Sequence, residues 1–77
     1  LRKEDLALIH LRIKELLEEK GRTKYWLHNQ MNIDYHNLSR MMKDETSSIR
    51  FENIEKLCVI LECTPNDLFE IIPSDND

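Results

Sequence analysis

The stretch NQMNIDYHNLSRM, residues 29–41, restricts the possible folds more than any other part of the chain. Leu27 and Met31 are one helical turn apart and end one apolar stripe, while Leu38 and Met41 form another. Between them, Asn32 is the non-glycine residue best suited to a left-handed turn, and Ile33 is an apolar anchor. Asp34 has the short acceptor side chain that caps a following helix. Two helices joined this tightly must cross, with both stripes turned to one core. At about 100° per residue, Tyr35, His36, Ser39, Arg40 and Lys43 then fall on the opposite side of the second helix.

The flanking segments are also helical in pattern. Ile9, Ile13, Leu16 and Leu17, with the stem of Lys20, share one stripe opposite Arg12, Lys14, Glu15, Glu18 and Glu19, so a first helix is expected from Ile9 to about Lys20. Gly21 supplies its stop. The alternation of Ile9, Leu11 and Ile13 leaves a short extended lead-in as the other possibility. Thr23 caps a second helix, Lys24 to Met31, and Asp34 a third, Tyr35 to about Lys43. KDETSSIR (43–50) reads as a loop. Phe51, Ile54, Leu57, Cys58 and Leu61 make a fourth amphipathic helix, and TPND (64–67) opens a short fifth with a threonine cap and a proline in the first turn, carrying Leu68, Phe69, Ile71 and Ile72. The expected organisation is a lead-in at 1–8, one domain at 9–72 and a disordered tail at 73–77, following Pro73. The fold class is all-α, with five helices.

Seventy-seven residues, 40% apolar and 34% charged, support one small core and no second domain. Cys58 and Cys63 are five apart, which fits neither a disulfide framework nor a CxxC pair, and they read as small core residues in a reducing compartment. No apolar run reaches the roughly 18 residues that span a bilayer, and no signal-peptide core is evident. A cytoplasmic location is expected, with the natural start upstream of Leu1. The net charge of −4 is unevenly spread: residues 20–43 carry +4, whereas residues 51–77 carry −6. The one basic region thus coincides with the crossed helices and their uncovered polar face.

Helix, short turn and helix with a polar outer face is the architecture that lays a recognition helix in the DNA major groove. The sequence resembles the Cro/CI-type (XRE) helix-turn-helix regulators from about Ile13 to Ile72, through IKELLEEKG, TKYWL, NIDYHNLSRM, FENIEKLCVIL and CTPNDLFEI in this order and spacing. The resemblance implies a phage-repressor-like fold and a cytoplasmic, homodimeric protein that binds double-stranded DNA and regulates transcription, as a repressor by expectation. It places Tyr35, His36 and Arg40 at base edges, and Lys24, Ser39, Lys43, Thr46 and Ser47 at phosphates. A guanine contact by Arg40 is worth about 1–3 kcal/mol of discrimination. Three features depart from the family pattern. His28 stands where a small residue is usual and must swing outward or loosen the helix pair. Asn32 replaces glycine, and Asp44 and Glu45 put acids in a loop that is often basic.

Other readings follow from the same residues. The polar stripe of the third helix is in the simplest case a solvated face. Tyr25, Trp26 and Leu27 cannot all point inward, so one aromatic is left for the surface, a partner or the DNA edge. Val59, Ile71 and Ile72 are candidates for a two-fold interface. The acidic C-terminal half favours, as the alternative function, a protein-interaction module of antitoxin-like or anti-regulator type. No pairing of His10, His28, His36, Cys58 and Cys63 has a metal-ligand spacing, and no nucleophile–base pair or glycine-rich phosphate loop is present. Neither a metal, a cofactor nor a small-molecule ligand is expected, and an enzyme is not.

Overall fold

The computed structural model describes residues 8–73. The expected tail, apart from Pro73, and the expected lead-in, apart from Leu8, lie outside the described residues. In chain order the elements are β1 (Leu8–Leu11), α1 (Ile13–Lys20), α2 (Lys24–Met31), α3 (Tyr35–Met42), α4 (Phe51–Ile60), α5 (Pro65–Leu68) and β2 (Phe69–Ile72). Among the described residues there are five helices, but the all-α expectation is amended by the two-stranded antiparallel sheet that β1 and β2 form.

That sheet explains both errors at the ends of the helical reading. The first helix begins at Ile13 because Leu8–Leu11 pair with Phe69–Ile72, in the register Leu8↔Ile72, Ile9↔Ile71, His10↔Glu70 and Leu11↔Phe69. The alternation of Ile9, Leu11 and Ile13 was the local sign of this strand. The fifth helix is a single turn. Its capping box, with the Asp67 amide donating to Thr64 Oγ1 at 3.3 Å and the Thr64 amide to Asp67 Oδ2 at 3.1 Å, starts the helix well. Phe69, Ile71 and Ile72 favour extended backbone, and pairing with β1 satisfies their main-chain groups, so the chain leaves the helix after Leu68. The Arg12 amide donates to the Leu68 carbonyl at 2.8 Å and joins strand to helix at the other end.

All five helices contribute to one core, and Leu11 of β1 joins it. Ile13, Leu16 and Leu17 come from α1, Leu27 and Met31 from α2, Leu38 and Met41 from α3, Leu57 from α4, and Leu61 and Leu68 from the last turns. The stops are as the local chemistry demands. Gly21 and Asn32 take left-handed conformations, with φ of 66° and 55°, and the Asn32 amide closes α2 by donating to the His28 carbonyl. In α4, Leu57 is buried and Ile54 and Cys58 are half-buried, but Phe51 is 88% exposed. The expected inward place of Phe51 is therefore wrong: the first residue of α4 stands in solvent, and the buried side of the helix is carried by Leu57 with Ile54 and Cys58.

Leu38 is fully buried, so Leu38→Ala removes packing and leaves a cavity, and it will lower the unfolding free energy by about 2–5 kcal/mol in urea denaturation. Phe51→Ala, at a position that contributes almost no buried area, will change it by about 0.5 kcal/mol or less.

Candidate nucleic-acid interface

The polar face of α3 is built from below. Leu38 and Met41, 0% and 4% exposed, fix the rotation of the helix about its axis. Asp34 fixes its start, accepting the Asn37 amide at 3.2 Å. With rotation and start set, Tyr35, His36, Asn37 and Arg40 are all exposed, Tyr35 by 46%. Of the other residues expected at DNA, Lys43 and Ser47 are exposed, while Lys24, Ser39 and Thr46 are half-buried.

Lys24 joins α2 to this face. Its Nζ donates to Ser39 Oγ at 2.6 Å and lies 4.4 Å from the centre of the Tyr35 ring, a cation–π contact worth about 0.5–1 kcal/mol at an exposed site. His28, where the resemblance implies a small residue, does not swing out into solvent. It is half-buried, with its ring edge-on to Tyr35 at 5.1 Å and tilted against Tyr25 at 6.5 Å, and its Nδ1 is shielded without a hydrogen-bond partner. The surface aromatic of α2 is Tyr25, because Trp26 is half-buried against the core with Arg22 stacked 4.8 Å over its ring. Arg22 and Lys20, which pairs with Glu62 at 3.1 Å, line a separate depression beside Ile60. Two of the five cations in the basic segment thus serve another surface.

Beyond α3 the face continues into a cleft of about 230 Å³ lined by Asn37, Arg40, Thr46, Ser47, Arg50 and Asn53. Arg40 Nη2 donates weakly, at 3.4 Å, to the Glu45 carbonyl. Arg50, Asn37 and Asn53 were missed in the sequence. Arg50 sat in an apparently acidic loop, and only its position just before α4 turns it toward the cleft.

The acid expected to burden that loop is engaged elsewhere. Asp44 has a left-handed conformation, φ 58°, in the turn that ends α3, where the Glu45 amide donates to the Arg40 carbonyl at 2.9 Å. Its carboxylate is half-buried and accepts the Leu11 amide at 2.9 Å through Oδ1 and His10 Nδ1 at 2.6 Å through Oδ2. His10 Nε2 in turn lies 2.6 Å from Glu15 Oε2. The hydrogen bond to Asp44, then that to Glu15, raise the His10 pKa above its ordinary value. Burial pushes the Glu15 carboxyl up, but the His10 hydrogen bond and further favourable contacts outweigh it and hold the pKa below the usual value. A sequence signal existed in the aspartate just past a helix end, which suits a left-handed cap, but nothing local named its histidine partner.

Cys58 and Cys63 are free and half-buried, and burial first, then the Cys58 neighbour, push the Cys63 thiol up to about 11. It stays protonated and unreactive near neutral pH. No helix among the described residues is long and apolar enough to cross a membrane.

Crossed helices α2 and α3, joined by a three-residue turn and seated on a five-helix core, define a helix-turn-helix domain. The chain belongs to the Cro/C1-type HTH DNA-binding domain family, which it matches over residues 12–74. Among solved structures, it is similar to a candidate DNA-binding protein from Bacteroides fragilis, at 29% identity and a TM-score of 0.70, covering 80% of this chain and 98% of that one. It also shares its fold with the transcriptional regulator VanUg, at 17% identity and a TM-score of 0.74, with 96% of each chain covered. Comparison with curated proteins finds no match.

Removing the α3 cap by Asp34→Ala will lower stability by about 1 kcal/mol and speed amide exchange in the first turn of α3, as read by native-state hydrogen exchange.

Proposed function

We propose that this protein is a transcription regulator that reads double-stranded DNA by laying α3 in the major groove. Tyr35, His36 and Arg40 face base edges, and Lys24, Ser39, Lys43, Thr46 and Ser47, joined by Arg50, meet phosphates. One observation carries the reading: Leu38 and Met41 are buried beneath α3 while Tyr35, His36 and Arg40 are exposed on its other side. Membership of the Cro/C1-type HTH family supports it. So does the segregation of charge, since Lys24, Arg40, Lys43 and Arg50 border the α3 face and its adjoining cleft despite the net charge of −4.

The domain, taken as residues 9–72, acts as a homodimer that presents two α3 helices to half-sites about one helical turn apart. Val59 on α4 and Ile71 and Ile72 on β2, the latter two paired with Ile9 and Leu8, are exposed apolar residues suited to a two-fold contact. Occupation of a promoter by such a dimer would exclude other proteins from the same duplex, which makes repression the simplest outcome. Binding of this kind needs neither cofactor nor catalysis.

A protein-interaction module on the same fold is the second reading, favoured by Phe51 and Val59 exposed on an acidic helix, α4. The two readings part in one experiment. Selection from random duplex DNA will yield a palindromic site, and binding will weaken steeply with salt. Arg40→Ala will lose about 1–3 kcal/mol and relax sequence preference at one position. Lys24→Ala will weaken all duplexes alike and reduce the salt slope by about 1. Absence of any salt-dependent duplex binding by the wild type rejects the DNA reading in favour of the module.

A further inference from the structure

His10 lies on β1, 19% exposed, and touches carboxylates on both ring nitrogens at 2.6 Å: Asp44 from the α3–α4 turn and Glu15 from α1. Ionised carboxylates only accept hydrogen bonds, and a neutral imidazole has a single N–H. Only the imidazolium can donate to both. The third element packed against it adds another acid, because Glu70 on β2 is its cross-strand partner and brings its carboxylate into the same group. Arg12, which interacts favourably with Glu15, is the other charged neighbour. Without its proton, the ring would lose one of its two donated bonds and leave three carboxylates gathered around a neutral group.

The turn that His10 grips is the one that ends α3. Asp44 follows Lys43 directly, the Glu45 amide closes the helix on the Arg40 carbonyl, and the chain then delivers Thr46 and Ser47 to the polar cleft. His10 therefore does two things at a distance from α3. It holds the Asp44 carboxylate toward β1 and partly offsets its charge, and it fixes the start of the loop that carries the phosphate-facing hydroxyls. We propose that protonated His10 is a positioning residue for DNA binding, and that loss of its proton, which leaves the neutral ring one N–H to share between Asp44 and Glu15, loosens the Asp44 turn and weakens the complex. The inference rests on the DNA-reading role of α3.

The sign follows from the bonding. Asp44 and then Glu15 favour the charged ring, so the folded protein holds the proton above the ordinary value of 6.5. The clamp is complete below that value and is lost as pH rises through the higher, folded-state pKa.

The test has two arms. In the free protein, nitrogen NMR of the His10 ring is expected to show both nitrogens protonated at about pH 6.5, with titration above the usual imidazole range. Amide exchange at Glu45 and Thr46, corrected for its intrinsic pH dependence, will quicken as the ring titrates. A ring already neutral at that pH, or exchange indifferent to its titration, overturns the proposal whether or not DNA binds.

In the second arm, affinity for the duplex selected by the wild type is followed at fixed salt from about pH 5.5 to about pH 8.5, in EDTA. Affinity will fall by about three- to tenfold as His10 titrates. His36→Gln, which removes the imidazole of α3 itself, will keep the ratio of low-pH to high-pH affinity whatever its effect on affinity itself. His10→Gln will abolish it and bind at the wild type's high-pH level, and Asp44→Asn, nearly isosteric, will do the same if His10→Gln is poorly folded by thermal melting. A fall that persists in both His10→Gln and Asp44→Asn overturns the proposal. Failure of every variant and the wild type to bind any duplex rejects the DNA reading instead, leaving the clamp to be judged by the first arm.

Discussion

One small hydrophobic core must accept a stripe from each of five helices, and this shared burial sets everything else in the molecule. Leu27 and Met31 of α2 and Leu38 and Met41 of α3 have no other apolar surface to cover them. The short turn through Asn32 and Ile33 lets both helices reach it only by crossing. Once the stripe of α3 is buried, its opposite side has nowhere to go but outward. The polar face is thus a consequence of packing, and its chemistry of tyrosine, histidine, asparagine and arginine is free to vary without changing the fold.

The parts of this arrangement that depend on local chemistry are legible in the sequence. Thr23 and Asp34 mark the starts of α2 and α3, Gly21 and Asn32 mark two stops, and the one-turn spacings of Leu27 with Met31 and of Leu38 with Met41 identify the buried sides. The sheet is not legible in the same way, because each strand has only four residues and its partner is about sixty residues distant. Ile71 and Ile72 look like a continuing helix until the strand opposite them is known. Phe51 fails for a different reason. Its spacing matches the apolar stripe, but it is the first residue of α4 and its side chain stands in solvent.

The candidate site divides along the same line. The outward face of α3 follows from periodicity, whereas the contacts that tune it cross between elements. Lys24 reaches from α2 to Ser39 and Tyr35, and His28 fills the space against Tyr35 that a smaller residue would leave. Reading Asp44 and Glu45 as a pair of loop charges was reasonable from spacing alone, yet one of the two carboxylates is bound below the surface by His10 and the Leu11 amide. Formal charge counted along a chain overstates the field at a surface whenever a side chain folds back in this way.

The pairing of Leu8 with Ile72 has a mechanical result for the whole domain. It fastens the first and last described elements to each other and closes a loop of about sixty residues, an ordering cost that no local helix signal can offset. Such a ring is expected to shut late in folding, after the helices have met. Once shut, neither end can peel away alone: freeing β1 unmoors β2, the Arg12–Leu68 junction and the Leu11 anchor together. The two ends of the fold therefore share a single fate, and any pull applied at one is borne by both.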